Sequence, residues 1–123
     1  MGFRLLSASL ALSGASLLSL SAPVQAQAPV PASQVRALNL ARNTVVNQNG
    51  GLSAYRPQPC MFNTAGGGGQ CLISNNSQGY TFRFLGGKPG WPENGSQPTT
   101  ESEIQIAPDG RSVVQVIYNG SPR

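Results

Sequence analysis

Two glutamates, one indole and one pair of thiols are the side chains of this chain whose types and spacing could support chemistry. Glu101 and Glu103 lie two apart, which on a strand puts both on one face. Paired carboxylates can divide acid and base roles when their surroundings push their pKa values apart. Gln105 and Gln115 fall beside them, so the pair reads as charge on a solvated sheet face. Histidine is absent from all 123 residues. That removes the commonest general base, the commonest transition-metal ligand and the third member of a Ser/His/Asp or Cys/His site. The sequence accordingly predicts no catalytic residue, no metal site and no cofactor.

Cys60 and Cys71 are the only cysteines. A redox-active or nucleophilic thiol needs a depressed pKa, and neither a C-x-x-C motif nor a histidine is present to supply one. The pair reads as a disulfide staple closing a 12-residue loop that contains Gly66, Gly67, Gly68 and Gly69. Loop-closure entropy makes such a bond worth about 3 kcal/mol. A phosphate-binding glycine loop needs a strand before it, a helix after it and usually a lysine. Here a cysteine and a strand follow, so the run is read as a flexible, disulfide-closed loop.

The sole tryptophan, Trp91, sits in G-G-K-P-G-W-P-E-N-G, residues 86–95. An indole on such a loop combines large contact area with low entropy cost and suits a recognition anchor. It equally suits a ring folded back over an open edge of a small core. Lys88, Arg83, Tyr55 and Arg56 are the candidate contributors to the same binding surface. The chain carries a formal charge of +4, but its basic residues are scattered with no two adjacent. Phosphate-tracking surfaces need clustered cations, so no nucleic-acid partner is expected.

Residues 1–26 read as a cleaved signal peptide. Arg4 supplies the positive n-region, an uncharged Leu-, Ala- and Ser-rich run follows, and V-Q-A places small residues at the cleavage site. The run is too short and Ser-rich for a stable membrane span. The mature chain is then periplasmic or extracellular, in an oxidising compartment that favours the disulfide. No stable membrane insertion is expected after cleavage. Residues 27–32 (Q-A-P-V-P-A) form a flexible tail and residues 33–123 a single small domain.

The elements follow from periodicity and punctuation. Ser33 serves as N-cap of a helix running to about Asn47, with Val35, Leu38, Ala41, Val45 and Val46 along one stripe, Arg42 within it and Leu40 opposite. Asn49, Gly50 and Gly51 end it. Residues 52–55 start an edge or irregular arm, because Pro57 and Pro59 cannot donate to a ladder. Residues 71–74 form a short strand, residues 75–79 a turn, and residues 80–85 the clearest strand, with Tyr80, Phe82 and Phe84 on one face. The last two strands make a hairpin around Pro108-Asp109-Gly110. Pairing Ala107 with Arg111 sets Ile104 opposite Val114 and Ile106 opposite Ser112. Ile104, Ile106, Val114, Val116 and Tyr118 then face the core, and Glu101, Glu103, Gln105, Gln115 and Ile117 face water.

The resulting fold class is α+β, one N-terminal helix packed on a four- to five-stranded antiparallel sheet with one disulfide. This element order resembles the cystatin-like and PepSY-like arrangements, a likeness that carries architecture and no residue roles. The expected function is that of an exported, non-enzymatic binding or accessory module of the cell envelope, its partner a protein, peptide or glycan. The alternative is a small exported enzyme inhibitor or a carboxylate-based hydrolase.

Overall fold

The computed structural model describes residues 29–123, besides the isolated Gly2 and Gly14. Apart from those two glycines, the leader assigned to residues 1–26 and the first two residues of the tail lie outside the described residues. Helix α1 (Ala32–Gln48) starts two residues earlier than expected, with Pro31 rather than Ser33 at the N-cap. The Pro31 carbonyl accepts the amides of Gln34 and Val35. Ser33 makes no cap bond because its hydroxyl is engaged by the Tyr80 hydroxyl at 2.7 Å. At the other end Gly51 N–H donates to Val46 O and Gly50 N–H to Asn47 O, the Schellman pattern, with Gly50 at φ 97°.

The buried stripe of α1 is Gln34, Ala37, Leu38, Ala41, Val45 and Val46. It is rotated from the expected one, so Gln34 goes inside where Val35 was expected. Its amide is satisfied by donating to Gly67 O at 3.1 Å, which lets a polar side chain sit in the core. Leu40, expected on the outer side, is half-buried against the core.

The sheet has five antiparallel strands: β1 (Arg56–Pro57), β2 (Leu72–Asn76), β3 (Gly79–Gly87), β4 (Thr100–Ile106) and β5 (Val113–Gly120). Their order is β1-β3-β4-β5, with β2 also paired to β3. β2 follows the first half of β3, and β1 meets its last two residues. Of the edge or irregular arm expected from residue 52, residues 52–54 form a turn and the ladder begins only at Arg56. Tyr80, Phe82 and Phe84 do share the buried face of β3, packed with Ile104 and Ile106 of β4, Leu38, Ala41 and Val45 of α1, and Met61. The architecture is thus one helix on an antiparallel sheet with one disulfide.

The β4–β5 register departs from the expected one. Ile106 pairs with Val113, Gln105 with Gln115, Ile104 with Val116 and Glu103 with Tyr118. Two bulges therefore leave Val114 and Ile117 without an opposite residue, and both are exposed. Tyr118 moves to the face of Glu103. A third bulge does the same to Ile73 in β2. Bulges bend and twist sheet edges, so these apolar residues stand on edges made poor templates for pairing. The turn itself is anchored from outside. Asp109 O accepts both Arg36 Nε (3.1 Å) and Nη2 (3.0 Å), and Gly110, at φ 74°, lies against the backbone of Ser33 and Ala37. Ile104→Asp is expected to unfold the domain and Val114→Asp to change its stability by less than about 0.5 kcal/mol. Urea denaturation of both variants checks this; equal losses would restore the unbulged register.

The disulfide joins Cys60 and Cys71 with 5.9 Å between Cα atoms. The glycine run it encloses is not a loose loop, contrary to expectation. Gly67 and Gly68 are buried, Gly68 N–H donates to Asn63 O, and Cys71 N–H to Gly68 O. A Cβ at Gly68 would stand 3.0 Å from the Phe82 ring and 3.2 Å from Leu38. These glycines permit close approach of backbone to core, so the loop is packed where side chains would not fit. Cys60→Ser is expected to cost about 3 kcal/mol, matching the effect of reductant on the wild type. Identical melting with and without reductant would contradict it.

Candidate functional site

The β1–β3 pairing, Arg56 with Gly87 and Pro57 with Gly86, brings two proline-rich segments side by side. One runs from Arg56 through the 3-10 turn Pro59–Phe62, and the other is the loop after β3. Gln58 binds them to the sheet, its N–H donating to Leu85 O at 2.8 Å and its Oε1 accepting Leu85 N–H at 3.0 Å. Two rings press on the two glycines. Tyr55 packs on Gly86, and Trp91 on Gly87, where a Cβ would come within 3.0 Å of the indole.

Trp91 is only 6% exposed, and its Nε1–H donates to Arg56 O at 2.7 Å. Its loop is braced by Trp91 N–H to Lys88 O, Asn94 N–H to Gly90 O and Gly95 N–H to Pro92 O, and the Trp91–Pro92 peptide is cis. The indole thus covers the end of the sheet, and one of its edges forms the wall of a cleft. The 3-10 turn buries Met61 and leaves Phe62, which lines the same cleft, 47% exposed. Arg42 explains its own place in the helix stripe here. It donates Nη1–H to Met61 O at 3.0 Å and lies 5.0 Å over the Phe62 ring. Partial burial pulls its guanidinium below the ordinary value.

The cleft so formed holds about 280 Å³ and is lined by Pro57, Pro59, Pro89 and Pro92, the rings of Phe62 and Trp91, Gly90, and the charged Arg56 and Glu93. Of the residues singled out in the sequence, Trp91 and Arg56 meet here. Tyr55 lies beneath, 3% exposed, with its hydroxyl unpartnered among the described residues and beside Ser102; burial pushes the phenol up to about 12. Lys88 is exposed but does not line the cleft, and Arg83 belongs to another surface. Pro89 and Pro92 belong to the Trp91 loop singled out in the sequence, whereas Phe62, Pro57 and Pro59 are not named there as site residues. Their only signal is the clustering of ladder-breaking prolines next to aromatic residues in two segments some thirty positions apart.

A second cleft lies on the outer sheet face, lined by Arg83, Phe84, Leu85, Glu101, Glu103 and Arg123. Arg123 Nε reaches Glu101 Oε2 at 2.6 Å, Nη2 reaches Glu103 Oε1 at 3.3 Å, and the guanidinium lies 4.0 Å over the Tyr118 ring. Glu101 is buried, where the sequence suggested a solvated carboxylate. The Arg123 hydrogen bond holds its carboxyl below the usual carboxylate range, with burial opposing. A group whose folded pKa is depressed stabilises the fold above its unfolded pKa and loses that contribution as pH falls through the folded value. Wild type is thus expected to melt above Arg123→Ala at neutral pH and to converge with it in acid. A gap that persists below the carboxylate range would contradict this. The exposure of Arg123 keeps the effect small.

Among the described residues no three His, Cys, Asp or Glu side chains are placed to hold a metal ion, and no helix is long and apolar enough to cross a membrane. Comparison with protein-family models, curated proteins and solved structures finds no match. Function therefore has to be read from the geometry of the site alone.

Proposed function

We propose that this protein is an exported, non-enzymatic binding module of the cell envelope, and that the proline–aromatic cleft is its contact surface. The observation that carries the reading is Phe62. A large apolar ring stands half in water in the lining of a cleft it shares with Trp91 and four prolines, with the Arg42 guanidinium over its face. Concave apolar surfaces with a few polar groups at their edges are the ordinary form of binding sites. The disulfide supports an oxidising compartment. A hydrolase would draw on Glu101 and Glu103, but Arg123 favours the ionised form of Glu101, the opposite of what a general acid needs.

The test is a photocrosslinking phenylalanine analogue at position 62 in the exported protein, with the same analogue at exposed position 114 as control. A discrete adduct from position 62 and none from position 114 is expected. Equal adducts from both positions, or none, would remove the cleft as the contact surface.

A further inference from the structure

Resting on the cleft reading above, we infer that the ligand is an extended peptide segment that places one aromatic side chain between Phe62 and Trp91. An acidic residue of the ligand faces Arg56 and a basic one faces Glu93. The side chains that line the cleft carry the choice of ligand class. The four prolines have no N–H. The Trp91 backbone N–H is spent on Lys88 O, and the indole N–H on Arg56 O. Polar side chains lining the cleft reduce to one guanidinium and one carboxylate. A sugar ring carries hydroxyls around its rim, and each one removed from water without a partner costs about 1 to 3 kcal/mol. An aromatic side chain asks for no such partners, and ring edges and faces suit both Phe62 and the flat proline rings.

Size and charge agree with this. A cleft of about 280 Å³ accepts one ring-bearing side chain and lies at the small end for larger ligands. Arg56 and Glu93 line the same cleft, yet among the described residues neither enters an ion pair. Arg56 uses only its Nε, donated to Leu52 O at 2.9 Å, which leaves the Nη groups of its fork for a carboxylate. Opposite charges standing apart give the cleft a polarity, and such polarity fixes the direction of a bound chain more than it adds affinity.

The probes are blocked pentapeptides with aspartate, phenylalanine and lysine at the first, third and fifth positions, the same peptide in reverse order, each with alanine for phenylalanine, and chitotetraose. The readout is the emission of Trp91, the chain's one tryptophan. Saturable change with one phenylalanine peptide is expected, weakened about tenfold or more by alanine, the scale of burying one ring. The double variant Arg56→Glu with Glu93→Lys is expected to prefer the reversed peptide. Both sites are exposed, so the fold survives the exchange. Equal response to phenylalanine and alanine peptides, or saturation by chitotetraose alone, overturns the aromatic-peptide assignment while the cleft stands as a binding site. No response to any probe also overturns it, and absence of a crosslink from position 62 as well would take the cleft reading with it.

Discussion

Trp91→Ala lowers the stability of the domain by about 3 to 5 kcal/mol, the usual range for removing a buried large aromatic ring. In a domain this small that shifts the melting temperature by at least about 12 °C. Two contributions are lost together. The indole no longer covers Gly87 at the end of the sheet, and the Arg56 carbonyl loses its donor. Trp91→Phe separates them. It keeps a ring over Gly87 and removes the hydrogen bond, at a cost of about 1 kcal/mol. Thermal melts of the three proteins, followed by circular dichroism, decide the matter. A Trp91→Ala variant as stable as wild type would mean that the ring is carried for recognition alone. Trp91→Ala also disassembles one wall of the cleft, so its loss of binding would not isolate a contact. Phe62, half-exposed, is the position at which contact can be probed without touching the core.

Phe82→Ala is the second large effect, about 3 to 5 kcal/mol. Phe82 is fully buried, lies opposite Ile104 in β4 and Leu72 in β2, and has Gly68 of the disulfide loop against its ring edge. Sheet, helix and disulfide loop therefore converge on one side chain, and none of these backbones is free to collapse into the space it leaves. A domain of this size is held by about 5 to 15 kcal/mol in total, so much of the margin disappears. Urea denaturation is expected to show a lower midpoint with an unchanged slope. Adding reductant removes about 3 kcal/mol more and is expected to leave the variant largely unfolded. A midpoint within experimental scatter of the wild type would place the core elsewhere.

The burial of Phe82 is legible in the amino-acid sequence, and so is most of what surrounds it. Period-two alternation at Tyr80, Phe82 and Phe84 names a buried strand face, because successive residues of a strand must point oppositely. Asn49, Gly50 and Gly51 name a helix end, because few residues accept the left-handed backbone found there. Two cysteines with no partner chemistry nearby name a staple. Each of these inferences rests on forces that act over a few residues along the chain.

The features that sequence patterns misplace share the opposite character. Ser33 is a good cap in isolation, but Tyr80, forty-seven residues away, takes its hydroxyl. The hairpin register follows from its turn only if both strands are regular. Here the bulges at Val114 and Ile117 pass apolar residues to solvent while β5 stays paired along Glu101–Ile106. The glycine run reads as slack until Leu38 and Phe82 are seen to occupy the volume its side chains would have filled. Glu101 reads as solvated until Arg123 folds back upon it.

The candidate site divides in the same way. Composition and local backbone preference are properties of neighbouring residues, and they suffice to make this a histidine-free α+β chain with one staple and to set Trp91 in a loop of turn-forming residues. They say nothing of Phe62 and Trp91 lining one cleft with four prolines, which is a product of the folded core. That cleft exists because a two-residue strand, Arg56–Pro57, pairs with the end of β3, and a contact between segments thirty residues apart is selected by the packing of the whole core rather than by any pattern along the chain.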